Sequence, residues 1–419
     1  MCSKGGLSTI ANVRYRGGVN PSLRAARAAT FVYFLLAGTL MGIWVVHIPD
    51  IETRAGISHA TLGSLLVLLG LGAFAGMQVA GPLTDRLGPR LVVPSTGVLA
   101  GAALVLPGLA HGPWTLAGAL LAFGFCNGCL DVSMNAHAVH VEKAYGRPVM
   151  SAFHATFSVG GVIAALAAAG AAGAGLSPVA TLGASAVLGI VIALVFARGL
   201  LPGTPATVAA TPAEQAPTAT RRAVAGRIWI LAALALTTML CEGAANDWST
   251  LHLKDVLGAP ASTAAFGYGT FAAAMTTGRL LADRVAARFG SMAVLRYGSG
   301  TAAVGITIAA LAPSTWVAFV GWALFGLGLS GCIPQLFSAA GHADPAAAGA
   351  NVSRVAGLGY LGMLAGPAVI GWLTHLTALN HTFLLLTLLC AITAVATGIL
   401  RTGSGATPEP EHEPASNSH

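Results

Sequence analysis

From residue 28 the chain is a succession of long apolar runs separated by short polar breaks. The runs lie near 28–48, 60–82, 91–110, 115–140, 151–174, 177–198, 228–251, 261–282, 291–312, 315–340, 350–374 and 378–400. Each supplies roughly 20 mostly apolar residues, the length an α-helix needs to cross a hydrocarbon core ~30 Å thick. The pattern therefore predicts twelve membrane-spanning helices. It lapses once in the middle, in LPGTPATVAATPAEQAPTATRRAVAGR (201–227), where Pro, Ala and Thr show no apolar periodicity. The predicted division is a tail over 1–27, a six-helix bundle over 28–200, a linker over 201–227, a second bundle over 228–400 and a disordered tail over 401–419.

Composition agrees with this pattern. Only 8% of the 419 residues are Asp, Glu, Lys or Arg, against roughly 25% in an ordinary soluble domain. Too few charges exist to cover a soluble surface of this size. The basic opening stretch has no apolar run before a cleavage site, and Cys2 has none before it, so neither a secretory nor a lipoprotein signal is read. Five of the six cysteines fall in apolar runs and suggest no disulfide framework.

Charge placement sets the expected orientation. With both termini in the cytoplasm, every lysine and arginine except Arg54 and Lys254 falls on the inner side. That bias is the positive-inside rule for a multi-pass protein of the cytoplasmic membrane. The net charge of +7 then reflects topology and anionic inner-leaflet lipid, not nucleic acid. This count leaves no lysine or arginine at mid-membrane depth to hold an anion.

The two halves echo one another. GPLTDRLGPR (81–90) follows the second run, and GRLLADRVAARFG (278–290) follows the eighth. FGFCNGC (123–129) in the fourth run returns as FGLGLSGC (325–332) in the tenth, with one residue inserted. Repeated six-helix halves are the mark of alternating-access transporters. The predicted fold is all-α and integral to the membrane: twelve helices in two pseudo-symmetric six-helix bundles.

The doubled Gly, Asp-Arg, Gly/Arg loop signature, the twelve runs and the long central loop resemble the major facilitator superfamily over residues 25–400. Three stretches resemble one bacterial branch of that family, many of whose inner-membrane members are uncharacterised. They are LDVSMNAHAVHVEKAYGRPVMSAFHATFSVGG (130–161), EGAANDWS (242–249) and SRVAGLGYLGMLAGPAVIG (353–371). The branch is grouped distantly with fucose-permease-type sugar–proton symporters. The resemblance implies secondary active transport of a small solute, coupled to protons, through a cavity between the bundles. It also implies that Asp85 latches against the start of the eleventh span, near Arg354. The fifth span, FSVGGVIAALAAAGAAGAG, lacks the Gly-Pro signature usual in drug exporters of the family; a Gly366-Pro367 pair lies in the eleventh instead. Export of a drug or metabolite in exchange for protons is the alternative.

Certain polar residues inside the runs are candidates for the work. Glu242 and Asp131 are the acids set well within spans. An ionised carboxylate there costs about 2.5–3.5 kcal/mol on insertion scales, so such groups normally face a cavity or carry a proton. Both are assigned to proton coupling. Thr238, Glu242, Asn246 and Ser249 fall at helical spacing, as do Asn127, Asp131 and Asn135, giving two polar stripes. Asn127, Asn135, Asn246, His154, Trp44 and Gln335 are the expected substrate-binding set, with His154 a partner for Asp131 and Pro334 a kink beside Gln335. A polar solute such as a sugar suits that set. Asp85, Arg86, Asp283, Arg284 and Arg354 are the expected gate: a carboxylate at a helix exit can meet the positive N-terminal end of a facing helix. Gly38-x-x-x-Gly42, Gly72-x-x-x-Gly76 and Gly124-x-x-x-Gly128 are read as close-packing sites.

Other classes fare worse. Cys126, Cys129, His137, His140 and Glu142 are metal-ligand types, but on one helix the cysteine and histidine pairs stand ~12 Å apart, too far for one zinc ion. A membrane metalloenzyme is thus disfavoured and no cofactor or metal is expected. A passive facilitator leaves Glu242 without a purpose. No G-x-x-x-x-G-K-[ST] loop supports ATP-driven transport. The expected partners are a small solute, protons and the bilayer, around a monomer.

Overall fold

The computed structural model describes residues 21–57, 59–202, 218–264 and 266–402, and every apolar run among them is helical. The predicted N-terminal tail up to residue 20, the linker from 203 to 217 and the C-terminal tail from 403 lie outside the described residues. The first half comprises α1 (Pro21–Val46), α2 (Ile48–Ala55), α3 (His59–Leu87), α4 (Pro89–Ala103), α5 (Val105–Leu109), α6 (Pro113–Tyr145), α7 (Met150–Gly173) and α8 (Pro178–Phe196). The second comprises α9 (Thr218–Leu251), α10 (Ala261–Ala264), α11 (Phe266–Phe289), α12 (Ser291–Ala310), α13 (Thr315–Leu329), α14 (Cys332–Ala343), α15 (Ala348–Leu373) and α16 (Leu379–Thr402). Among the described residues, ten stretches are long and apolar enough to cross a membrane. The α10–α11 segment and α12 complete the twelve; α11 carries Arg279, Asp283, Arg284 and Arg288, and α12 carries Arg296.

Helix ends follow local chemistry more than hydropathy. Pro89, Pro113 and Pro178 open α4, α6 and α8, where the missing N–H costs nothing. Gly88 and Gly290, at matching places in the two halves, turn the chain into α4 and α12 with φ of 81° and 86°, a conformation L side chains avoid. Helix also runs past the predicted boundaries: α1 begins at Pro21, and α9 begins at Thr218, inside the expected linker. Ala and Arg, both strong helix formers, extend these helices beyond their apolar centres. The tenth span breaks into α13 and α14. Pro334 cannot donate to the Ser330 carbonyl, and the ladder resumes where the Gln335 amide donates to Gly331 at 3.2 Å.

Within each half, glycine lets helix backbones touch. Gly72 and Gly76 of α3 press on the carbonyls of Leu121 and Phe125, while Gly124 and Gly128 of α6 press on those of Leu69 and Ala73. The second half repeats this between α15 and α9, where Gly362 and Gly366 meet the carbonyls of Leu236 and Leu240, and Gly243 meets that of Met363. The halves join chiefly through α3 with α15, α7 with α11, and α6 with α14 and α15. The fold is thus two facing bundles.

Candidate functional site

A cavity of about 290 Å³ lies where the bundles face each other. Four helices of the first half line it (α1, α3, α6 and α7) and four of the second (α9, α11, α14 and α15). Its walls are largely apolar, and they hold five of the chain's nine methionines: Met41, Met77, Met134, Met239 and Met363. Phe34, Phe157, Phe337 and Tyr360 add aromatic rings. The polar groups are few: Asn127, Asp131 and His154 from the first half, Glu242 and Arg279 from the second.

Arg279 corrects the expectation that no arginine lies among the cavity groups. Sequence counting put it in the charged loop after the eighth span, but α11 continues to Phe289. Arg279 therefore stands one turn before Asp283, on the same helix face, and faces the cavity. Its Nη2 donates to Glu242 Oε1 at 3.4 Å, with side chains only 14% and 15% exposed. Its Nη1 donates to Ser158 Oγ of α7 at 2.9 Å, so the guanidinium also ties the two halves. Tyr360 and the methionines were likewise missed. Nothing in an apolar run marks which methionine faces inward, whereas the i, i+4 spacing from Arg279 to Asp283 was there to be read.

Asp131 is less satisfied. Its Oδ2 is buried and, among the described residues, receives no hydrogen bond. Asn135 Nδ2 donates mainly to the Asp131 backbone carbonyl at 2.9 Å and reaches Oδ1 only at 3.4 Å. His154 lines the same cavity but bonds elsewhere: its Nδ1 pairs with the Met150 carbonyl at 3.1 Å, and its ring packs against Phe34 and Phe337. Asn127 lies on the wall, with Nδ2 3.9 Å from Met41 Sδ.

The other expected ligands stand off the wall. Asn135 is fully buried behind Asp131. Trp44 is buried within the first bundle, its ring 6.1 Å from that of Phe123. Gln335 is buried at the bundle interface, where Nε2 donates to Ser151 Oγ at 3.3 Å. Asn246 is exposed at the protein surface, and Thr238 and Ser249 are buried, so the stripe around Glu242 does not form one cavity face. Of the metal-type residues of α6, His137 pairs with Thr30 Oγ1 at 3.1 Å through Nδ1 and accepts the Leu201 amide at 3.0 Å through Nε2.

Below the cavity, one end of the molecule is closed by two reciprocal latches. Asp85 at the end of α3 accepts from the amides of Gly349 and Ala350 at 2.7 and 2.8 Å, the first turn of α15. Asp283 of α11 accepts from Ser151 and Ala152 at 2.9 and 2.7 Å, the first turn of α7. Each carboxylate satisfies orphan N–H groups of a helix in the opposite half and meets its positive end. The partner of Asp85 is backbone and not Arg354, which is exposed and donates to Asn351 Oδ1 at 3.0 Å. Arg86 and Arg284 are exposed beside the latches. Glu142 adds a third tie: Oε2 accepts from the amides of Val149 and Met150 at 2.9 and 3.0 Å, and Oε1 accepts from Ser338 Oγ of α14.

Two helical bundles around a shared cavity, latched by repeated Asp-Arg loops, describe a membrane transporter. The chain belongs to the Major Facilitator Superfamily, whose sequence profile matches residues 29–353 and 252–418. It is 36% identical over 386 residues to an uncharacterised MFS-type transporter of Yersinia pestis, an alignment covering 91% of this chain and 98% of that protein. Among solved structures, its fold is similar to the MFS transporter FucP in the outward conformation, with a TM-score of 0.74 at 16% identity over 90% of this chain and 99% of that one. It is also similar to the proton:xylose symporter XylE, with a TM-score of 0.69 at 13% identity over 90% and 95% of the chains.

Proposed function

We propose that the protein is a secondary active transporter that moves a small solute across the cytoplasmic membrane by alternating access, coupled to protons. One observation carries this reading: a cavity shared by both halves holds two carboxylates in apolar walls and is shut at one end by contacts that a rocking motion can break. Glu242 and Asp131 are the proton sites, Asn127 and His154 contact solute, and Asp85 and Asp283 hold the gate. Protonating Glu242 frees Arg279, which then holds Ser158 of the opposite half without a counter-charge, so proton occupancy bears on how the halves engage. The latched end is cytoplasmic, because Arg86, Arg90, Lys143, Arg147, Arg284 and Arg288 surround it. The bundles over 28–200 and 228–400 are the moving bodies of a monomer whose termini share that side. The FucP and XylE folds support the reading, and XylE is a proton symporter by name.

The test is proton movement in proteoliposomes carrying an internal pH dye, challenged with sugars and amines. A transported solute should drive dye changes that Glu242→Gln reduces by roughly tenfold or more, the scale of losing one functional contact. Solute flux without proton movement, unchanged by that substitution, identifies a passive facilitator and rejects the coupling.

A further inference from the structure

The cavity's charges are not equivalent. Arg279 is already matched by Glu242 at 3.4 Å and spent on Ser158 at 2.9 Å, so an anionic solute would have to break an existing pair. Asp131 is the reverse case, a carboxylate whose buried Oδ2 receives nothing from the described residues. With Arg279 and Glu242 cancelling, an ionised Asp131 leaves one negative charge on the wall, and what it lacks is a donor. The walls add a second constraint. A sugar needs a partner for nearly every hydroxyl, and methionine and phenylalanine supply none. They suit an apolar body instead, since methionine adapts to irregular shapes and packs well on rings.

We propose that the solute is a small amphipathic organic cation, a protonated amine whose ammonium group sits on Asp131 and whose apolar body lies among the methionines and phenylalanines. The ammonium supplies Oδ2 with its missing N–H donor, in surroundings where a charged hydrogen bond is strong. The rings of Phe34, Phe157 and Tyr360 on the same walls suit the apolar body of such an amine. A volume of about 290 Å³ is at the small end for ligand pockets and fits an amine with one ring. This deepens the function proposed above and rests on it for the claim that the amine is moved as well as bound.

The experiment uses the purified full-length protein in detergent and probes of similar size: 2-phenylethylamine, 2-phenylethanol and 3-phenylpropanoate, with D-xylose beside them, measured by calorimetric titration. The expected result is that the amine binds at least roughly tenfold tighter than the other three, and that Asp131→Asn removes that preference. The ranking on the unaltered protein decides the matter even if Asp131→Asn fails to fold. Equal binding of amine and alcohol, preference for the acid or the sugar, or no binding of the amine overturns the assignment. Uptake of labelled probe into proteoliposomes separates the two readings. Amine bound through Asp131 but never moved rejects transport and keeps the site; xylose moved with protons while the amine is ignored rejects the site and keeps transport.

Discussion

Arg279 and Glu242 pair at 3.4 Å on the cavity wall, with little exposure of either side chain. Removing one member of a buried pair strands the other charge and costs about 3–5 kcal/mol, whereas removing both can be close to neutral. We expect Glu242→Ala and Arg279→Ala each to lower thermal stability in detergent, and the double variant to recover much of the loss. A double-mutant cycle should then give a coupling of about 1–3 kcal/mol. Simple additivity would mean that the 3.4 Å contact contributes nothing in the folded protein. Asp131 should differ. With no donor on Oδ2 among the described residues, Asp131→Asn loses little hydrogen bonding, so we expect a melting temperature at or above that of the unaltered chain. A fall comparable to that of Glu242→Ala would show that Asp131 has an essential structural partner.

The helices show how much of this was legible in the chain. Apolar runs marked each membrane segment because lipid imposes a length and a composition, and Glu242, Asp131, Asn127 and His154 stood out because polar groups are costly there. Facing was harder to read. The cavity wall is largely apolar, so hydropathy does not set it apart along a helix, and Asn135, Trp44, Gln335 and Asn246 resembled the residues that do line it. Arg279 was hidden by helix length: its apolar run thins before α11 ends. The glycine spacings were readable for a simple reason, since a missing side chain has one common use between membrane helices. This gives a matched comparison on α6. Gly124 abuts the Leu69 carbonyl, and a Cβ at Gly118 would meet nothing within 4 Å. We expect Gly124→Ala to push α3 and α6 apart and to cut the yield of monodisperse protein sharply. Gly118→Ala should leave stability unchanged or slightly raised, since Ala exceeds Gly in helix propensity by about 1 kcal/mol. Equal effects from the two substitutions would refute the interlock.

At the scale of the whole molecule, the two halves are alike at their Asp-Arg contacts and unlike at the cavity wall. One turn before Asp85 the chain has Gly81, pressed onto α15 at Gly349 and Ser353; one turn before Asp283 it has Arg279, reaching the cavity. Matching Gly128-Cys129 with Gly331-Cys332 sets Asp131 opposite Pro334, so one half offers a carboxylate where the other breaks its helix. The halves thus match in the carboxylate contacts between them and differ in the groups they turn to the cavity. It follows that the latches should open together, because each carboxylate holds the start of a helix belonging to the opposite bundle. A charge-assisted hydrogen bond is worth about 1.5–3 kcal/mol, and Asn retains part of it, so Asp85→Asn should shift the balance between latched and open states by roughly ten- to a hundredfold. Hydrogen exchange reads this directly. If the bundles move as bodies, Asp85→Asn accelerates exchange at Gly349 and Ala350 and also at Ser151 and Ala152, which Asp85 does not touch; Asp283→Asn does the same in mirror image. Acceleration confined to the amides facing the altered residue would mean local fraying, and the two-body motion would have to be abandoned.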